Sequence, residues 1–272
     1  MVKRKREINS LEVNIMEKIL AIELIQRFKA TYDKPPNWAW PLKPSIPLVG
    51  QTYKPGKGLL VYASAENLTG LNHEISERFT SGAAWDRYRF QYKSSGRRSK
   101  DFFPDVGIQP MTDGGLFAAG LFIAEKLNLE KGETPRSFLE TIAVSNWCKF
   151  SIKSATNKDY LYNIEKLTAS LPYVVHELTL LQPRVVLIPK KIWNWPSLRE
   201  AMESASPSSR FLAVSQFNAS VVNRSLKNDD CSAKQLKEQL KDTLLARWMK
   251  ELKRMNKDNA WRYIAMLDKC VV

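Results

Sequence analysis

The chain has 272 residues, a length that one α/β domain reaches without a second, and its 44% hydrophobic content is enough for a sizeable core. No run approaches the ~20 apolar residues that span a bilayer; Lys and Arg (42) outnumber Asp and Glu (28), a net charge of +14 that favours a polyanion (DNA, RNA or an acidic membrane surface), of which nucleic acid is expected and a membrane is not. Three scattered cysteines (Cys148, Cys231, Cys270) without a CxxC pair, and only two histidines (His73, His176), exclude a disulfide framework and a zinc-site spacing.

Met1 to Arg6 is basic, but the amphipathic, acid-containing segment behind it fits neither a signal peptide nor a transit peptide, so a soluble, cytoplasmic protein is expected. Leu11, Ile15, Ile19, Ile22 and Ile25 recur at helical spacing and predict a helix over 10–30. Pro35, Pro36, Pro41, Pro44 and Pro47 then impose irregular chain, with Trp38 and Trp40 packing on the domain. Leu59 to Ala63 reads as a buried parallel strand, ending in the turn Ser64 to Asn67. Over 78–100, cations that include Arg97 and Arg98 interleave with Trp85, Tyr88, Phe90 and Tyr92. That mixture suits phosphates with stacked bases, and equally a solvated loop over an aromatic core edge.

Asp113-Gly114-Gly115 opens a predicted helix through Leu127, and Phe138 to Val144 reads as a second strand ending at Ser145-Asn146. A helix follows within 160–181, with Pro172 as a possible internal start. Arg184 to Ile188 is the third strand, 198–204 a short helix and Phe211 to Val214 the fourth strand. A last helix is expected over 232–255, its stripe formed by Leu236, Leu240, Leu244, Trp248 and Leu252. Strands alternating with helices predict a single α/β domain over 1–272. It is three-layer αβα, with a mostly parallel central sheet of about four strands and the terminal helices packed on the core.

Such sheets bind ligands beyond the carboxyl ends of their strands, which selects the turns at 64–67, 145–149 and 216–220. Glu66 could orient water or accept a proton, and Asn67, Asn146 and Asn218 can each donate and accept towards a nucleobase edge. Arg224 could clamp a phosphate.

Taken in order, these segments resemble the uracil-DNA glycosylase superfamily, most closely its single-domain iron–sulfur branch. Ser145-Asn146-Trp147-Cys148-Lys149 resembles that family's Thr-Asn-x-x-Lys, and Pro183-Arg184-Val185-Val186 its Pro-x-Val-Ile strand. Asn218-Ala219-Ser220 with Arg224 keeps the serine–arginine spacing of its His-Pro-Ser motif, and Gly114-Gly115-Leu116 resembles its Gly-x-Leu-Leu helix start. The resemblance covers about 56–226. It implies a protein that binds DNA and a flipped base, with hydrolysis of the N-glycosidic bond of a damaged or deaminated base as the reaction. Asn146 and Asn67 would bind the base, Glu66 and Asn218 would be catalytic, and Ser220, Arg224, Arg97 and Arg98 would meet phosphates.

The chain departs from the family where its chemistry is most demanding. The Gly-Glu-x-Pro-Gly form of the first motif is missing around Glu66. Asn218 stands for the histidine and Ala219 for the proline, and asparagine cannot carry a positive charge. Three scattered cysteines cannot hold a four-cysteine cluster, so no iron–sulfur group, other cofactor or metal is expected, and a monomer is favoured. Besides a soluble α/β protein whose asparagines merely cap turns, two other readings stand beside this one. The first is a non-catalytic nucleic-acid-binding protein on the same fold. The second is a metal-dependent nuclease drawing on Asp105, Glu125 and Lys126.

Overall fold

A computed structural model of the protein describes residues 36–39, 47–50, 52–65, 114–150, 163–215, 230–251 and 257–271. Its centre is set by three apolar segments whose successive side chains point to opposite faces. Leu59 and Val61 of β2 (Leu59–Ala65), Ile142 of β3 (Ile142–Cys148), and Val185 and Leu187 of β4 (Val185–Pro189) enter one core. Leu60, Tyr62, Ala143, Trp147, Val186 and Ile188 enter a second core on the other face. Strands buried on both faces need helices on both, which makes the molecule three-layered.

β2 pairs in parallel with β3 on one side and β4 on the other, and β4 pairs in parallel with β5 (Arg210–Val214). A two-residue β1 (Leu48–Val49) runs antiparallel along β3 and completes the order β1-β3-β2-β4-β5. The mostly parallel αβα architecture expected from the sequence is therefore present, extended by an antiparallel edge strand that the proline-rich sequence does not announce.

α1 (Gly114–Lys126) and α2 (Pro135–Thr141) lie between β2 and β3 and pack on the first core. α3 (Ile164–Leu181), α4 (Lys190–Trp193) and α5 (Pro196–Ala205) cover the second. The connection leaving β2 thus uses one face of the sheet and the connection leaving β4 the other. The carboxyl ends of β2 and β4 flank the topological switch point, where open α/β sheets place their ligands.

Three expectations are corrected. Residues 138–141 are helical, not strand: Thr134 and Ser137 form a capping box on either side of Pro135, and β3 begins only at Ile142 and continues through Cys148. The expected helix 232–255 is broken at 240–243 into α6 (Asp230–Gln239) and α7 (Leu244–Glu251), and Thr243 Oγ1 accepts from the Ala246 N–H to start the second piece. A further helix, α8 (Lys257–Val271), has no counterpart among the elements expected from the sequence. Pro172 is accommodated inside α3 on an exposed side and starts no new segment. The expected helix over 10–30 and the basic-aromatic stretch 78–100 lie outside the described residues.

Candidate functional site

β2 and β3 are in register to their carboxyl ends, with Tyr62 opposite Ser145 and Ala63 opposite Asn146. Side chains alternate, so Ser145 faces α3 while Asn146, following Ile142 and Val144 at period two, faces the α1 side. Asn146 is 6% exposed and is the sole buried asparagine among the described residues. Two described neighbours on its face are small or partly open. Ala63 beside it brings only a methyl group, and Ala63 and Val144 are both half-buried although their strands lie inside the sheet. A polar amide therefore stands among small, half-buried neighbours at the carboxyl edge, where a burial-driven sheet would place an apolar side chain.

The opposite side of the same strand end is closed. Lys149, one residue beyond β3, is wholly buried and pairs with Glu177 of α3, also wholly buried. Lys149 Nζ also donates to Ser145 Oγ at 2.7 Å, and Ser145 Oγ donates to Glu177 Oε1 at 3.2 Å. The Tyr62 hydroxyl donates to the other carboxylate oxygen at 3.0 Å, and the Lys149 backbone N–H donates to Ser170 Oγ at 2.9 Å. Two α3 residues, two turns apart, thus grip the end of β3.

Burial pushes the Lys149 ammonium down and the Glu177 carboxyl up, and each is opposed by the charge of the other. The Tyr62 phenol is pushed well up, by burial first and by Glu177 second. Being sealed from solvent, the cluster cannot meet a substrate. Its chemical effect is to fix the backbone that carries Asn146.

Of the residues singled out from the sequence, Asn146 is placed at the carboxyl edge, within the last part of β3 and not after it. Glu66, Asn67, Arg97, Arg98, Asn218, Ser220 and Arg224 lie outside the described residues. The final described residue before the 216–220 turn, Ser215, accepts from the Tyr263 hydroxyl of α8 at 2.5 Å, which ties that end of β5 to the C-terminal helix.

Glu125 and Lys126 sit at the far end of α1 and are engaged in packing. Glu125 Oε1 accepts from the Leu244 N–H at 3.2 Å, capping α7, and Lys126 pairs with Asp268 of α8 at 2.8 Å. No group of three or more His, Cys, Asp or Glu side chains suited to a metal occurs among the described residues. No described helix is long and apolar enough to cross a membrane.

The sequence alone gives no role to Glu177, Tyr62 or Ser145. The signal was available for Glu177: it falls on the buried stripe of α3 formed by Leu167, Ser170, Val174, Leu178 and Leu181, and a carboxylate on such a stripe requires a buried partner. Compared with protein-family models, with curated proteins and with solved structures, the chain matches none of them.

Proposed function

We propose that the protein is a uracil-DNA-glycosylase-like DNA-binding protein that takes a flipped base against Asn146 and hydrolyses its N-glycosidic bond. The observation that carries this reading is the buried Asn146 amide at the carboxyl edge, among small, half-buried neighbours close to a topological switch point. An amide offers one donor and one acceptor to a base edge, which an extruded base needs once it leaves its pairing partner. The family likeness assigns Asn67 to the base, Glu66 and Asn218 to catalysis, and Ser220, Arg224, Arg97 and Arg98 to the phosphates. A net charge of +14 supplies the attraction to DNA. The chain works as a monomer in the cytoplasm, a compartment that suits the buried Cys148 thiol, which is in no disulfide.

The test is release of free base, without added metal, from oligonucleotides carrying uracil, hypoxanthine or xanthine. Release is expected from at least one, falling at least ~100-fold in Asn146→Ala, the scale on which one preorganised hydrogen-bonding group acts. Release that is indifferent to Asn146→Ala removes the assignment. The asparagine at position 218, where the family likeness places a histidine, favours a second reading: a protein that holds DNA and a flipped base without turnover. Salt-sensitive DNA binding with no base released from any substrate selects it.

A further inference from the structure

The segment from β4 to β5 carries polar and aromatic groups outside the Asn146 site, with Trp193, Trp195 and Phe211 lying partly buried at the rim of the second core. Trp193 at the end of α4 stacks on Phe211 of β5, with ring centroids 5.0 Å apart and 21° between planes. The Arg199 guanidinium of α5 lies 6.0 Å over the same indole. Both rings are only half-buried, as is neighbouring Trp195, and Arg199 is exposed.

Arg199 makes no ion pair with any described residue, although Glu203 stands one turn along the same helix. Lys190, exposed at the start of α4, makes none with a described residue either. Across 184–215 five cations face only two carboxylates, Glu200 and Glu203, so the segment carries an excess of positive charge. It is also firmly mounted. Ile192, Leu198 and Met202 anchor α4 and α5 in the second core, and the Trp147 indole N–H of β3 donates to the Met202 sulfur at 3.2 Å.

We propose that this face is a footing for single-stranded DNA: a base stacks on the Phe211–Trp193–Arg199 group while Lys190 meets the adjoining phosphate. A planar guanidinium held over an indole, uncommitted to a described carboxylate, offers an unpaired base both a stacking surface and a counter-charge. Position supports the assignment. α4 begins directly after Pro189, the last residue of β4, whose carboxyl end borders the switch point, so Lys190 sits at the edge of that crevice. A duplex has no unstacked base to offer this group. The choice of DNA over RNA rests on the reading of the Asn146 site.

The test is binding of the full-length chain to labelled oligo-dT, followed by fluorescence anisotropy over a range of salt. Arg199→Ala is expected to weaken binding about tenfold. Arg199→Lys keeps the charge but loses the plane and is expected to recover less than half of that loss on a logarithmic scale. Lys190→Ala is expected to lower the salt slope by about 0.7, the release expected for one single-strand phosphate. Both positions are exposed, and unchanged urea midpoints in the three variants exclude misfolding as the cause.

Wild-type affinity and salt slope in both alanine variants overturn the proposal. Full recovery in Arg199→Lys overturns the stacking, and tighter binding of oligo-A RNA than of oligo-dA overturns the choice of DNA. Oligo-dT carries no uracil, so the two readings fail separately. Base release indifferent to Asn146→Ala, with oligo-dT binding that responds to Arg199→Ala, removes the pocket and leaves this footing standing.

Discussion

Lys149 and Glu177 are charged groups taken wholly out of water, and each is tolerable only because the other is there. Removing one partner leaves a buried charge unmatched. Lys149→Met, and separately Glu177→Gln, is expected to cost about 3–5 kcal/mol of folding stability in urea unfolding. The double variant removes both charges, and the amide introduced by Glu177→Gln still offers an oxygen to the Tyr62 hydroxyl. It is expected to be more stable than either single variant, and strictly additive costs would show that the pair acts independently. The same residues explain what sequence could show of the site. Asn146 is legible because an asparagine at the end of an apolar strand is conspicuous. Its support is not, because Ser145, Lys149, Ser170 and Glu177 come together only when α3 packs across β3.

At the scale of elements, the start of α2 shows how local chemistry overrides an apolar pattern. Phe138, Leu139 and Ile142 invite a strand, yet Thr134 Oγ1 accepts from the Ser137 N–H at 3.0 Å and Ser137 Oγ accepts from the Thr134 N–H at 2.8 Å. With Pro135 fixing the first helical residue, the turn is committed before the apolar residues arrive. Thr134→Ala is expected to cost about 1 kcal/mol in urea unfolding, and no loss would mean that packing of Phe138 alone holds α2.

The core strands were readable because burial on both faces leaves a continuous apolar run bounded by turn residues, as at 59–63 and 185–188. The break between α6 and α7, and the whole of α8, are not legible in the sequence. The stripe from Leu236 to Leu252 continues unbroken in sequence across 240–243, where Thr243 Oγ1 donates to the Leu240 carbonyl and accepts from the Ala246 N–H at the start of the next helix. β1 is two residues long and owes its existence to β3, a partner far along the chain.

At the scale of the whole molecule, stability has an alkaline limit that two tyrosines set. The Tyr53 hydroxyl donates to the Leu181 carbonyl at 3.0 Å, and its ring packs against Gly58, where a Cβ would collide with it. Burial pushes the phenols of Tyr53 and Tyr62 above the ordinary value of about 10. A folded-state value that is raised contributes stability fully present below the unfolded value and lost as the pH climbs beyond it. The chain is therefore expected to weaken above about pH 10, with a slope approaching ~1.4 kcal/mol per pH unit for each tyrosine. Tyr53→Phe removes one of the two, so urea midpoints followed to about pH 11 should fall less steeply. An unchanged slope would place the alkaline limit elsewhere.

The short antiparallel strand β1 has a consequence for how the chain tolerates shortening. β3 carries the apolar run Ile142 to Val144 and, without Leu48 and Val49, would present its backbone as an open edge. An open, apolar edge recruits the strands of other molecules. A version of the chain trimmed just beyond Gly50 would keep every described buried residue of the two cores except Val49. It would nonetheless be prone to precipitate, because what it loses is the guard on the sheet's outer flank.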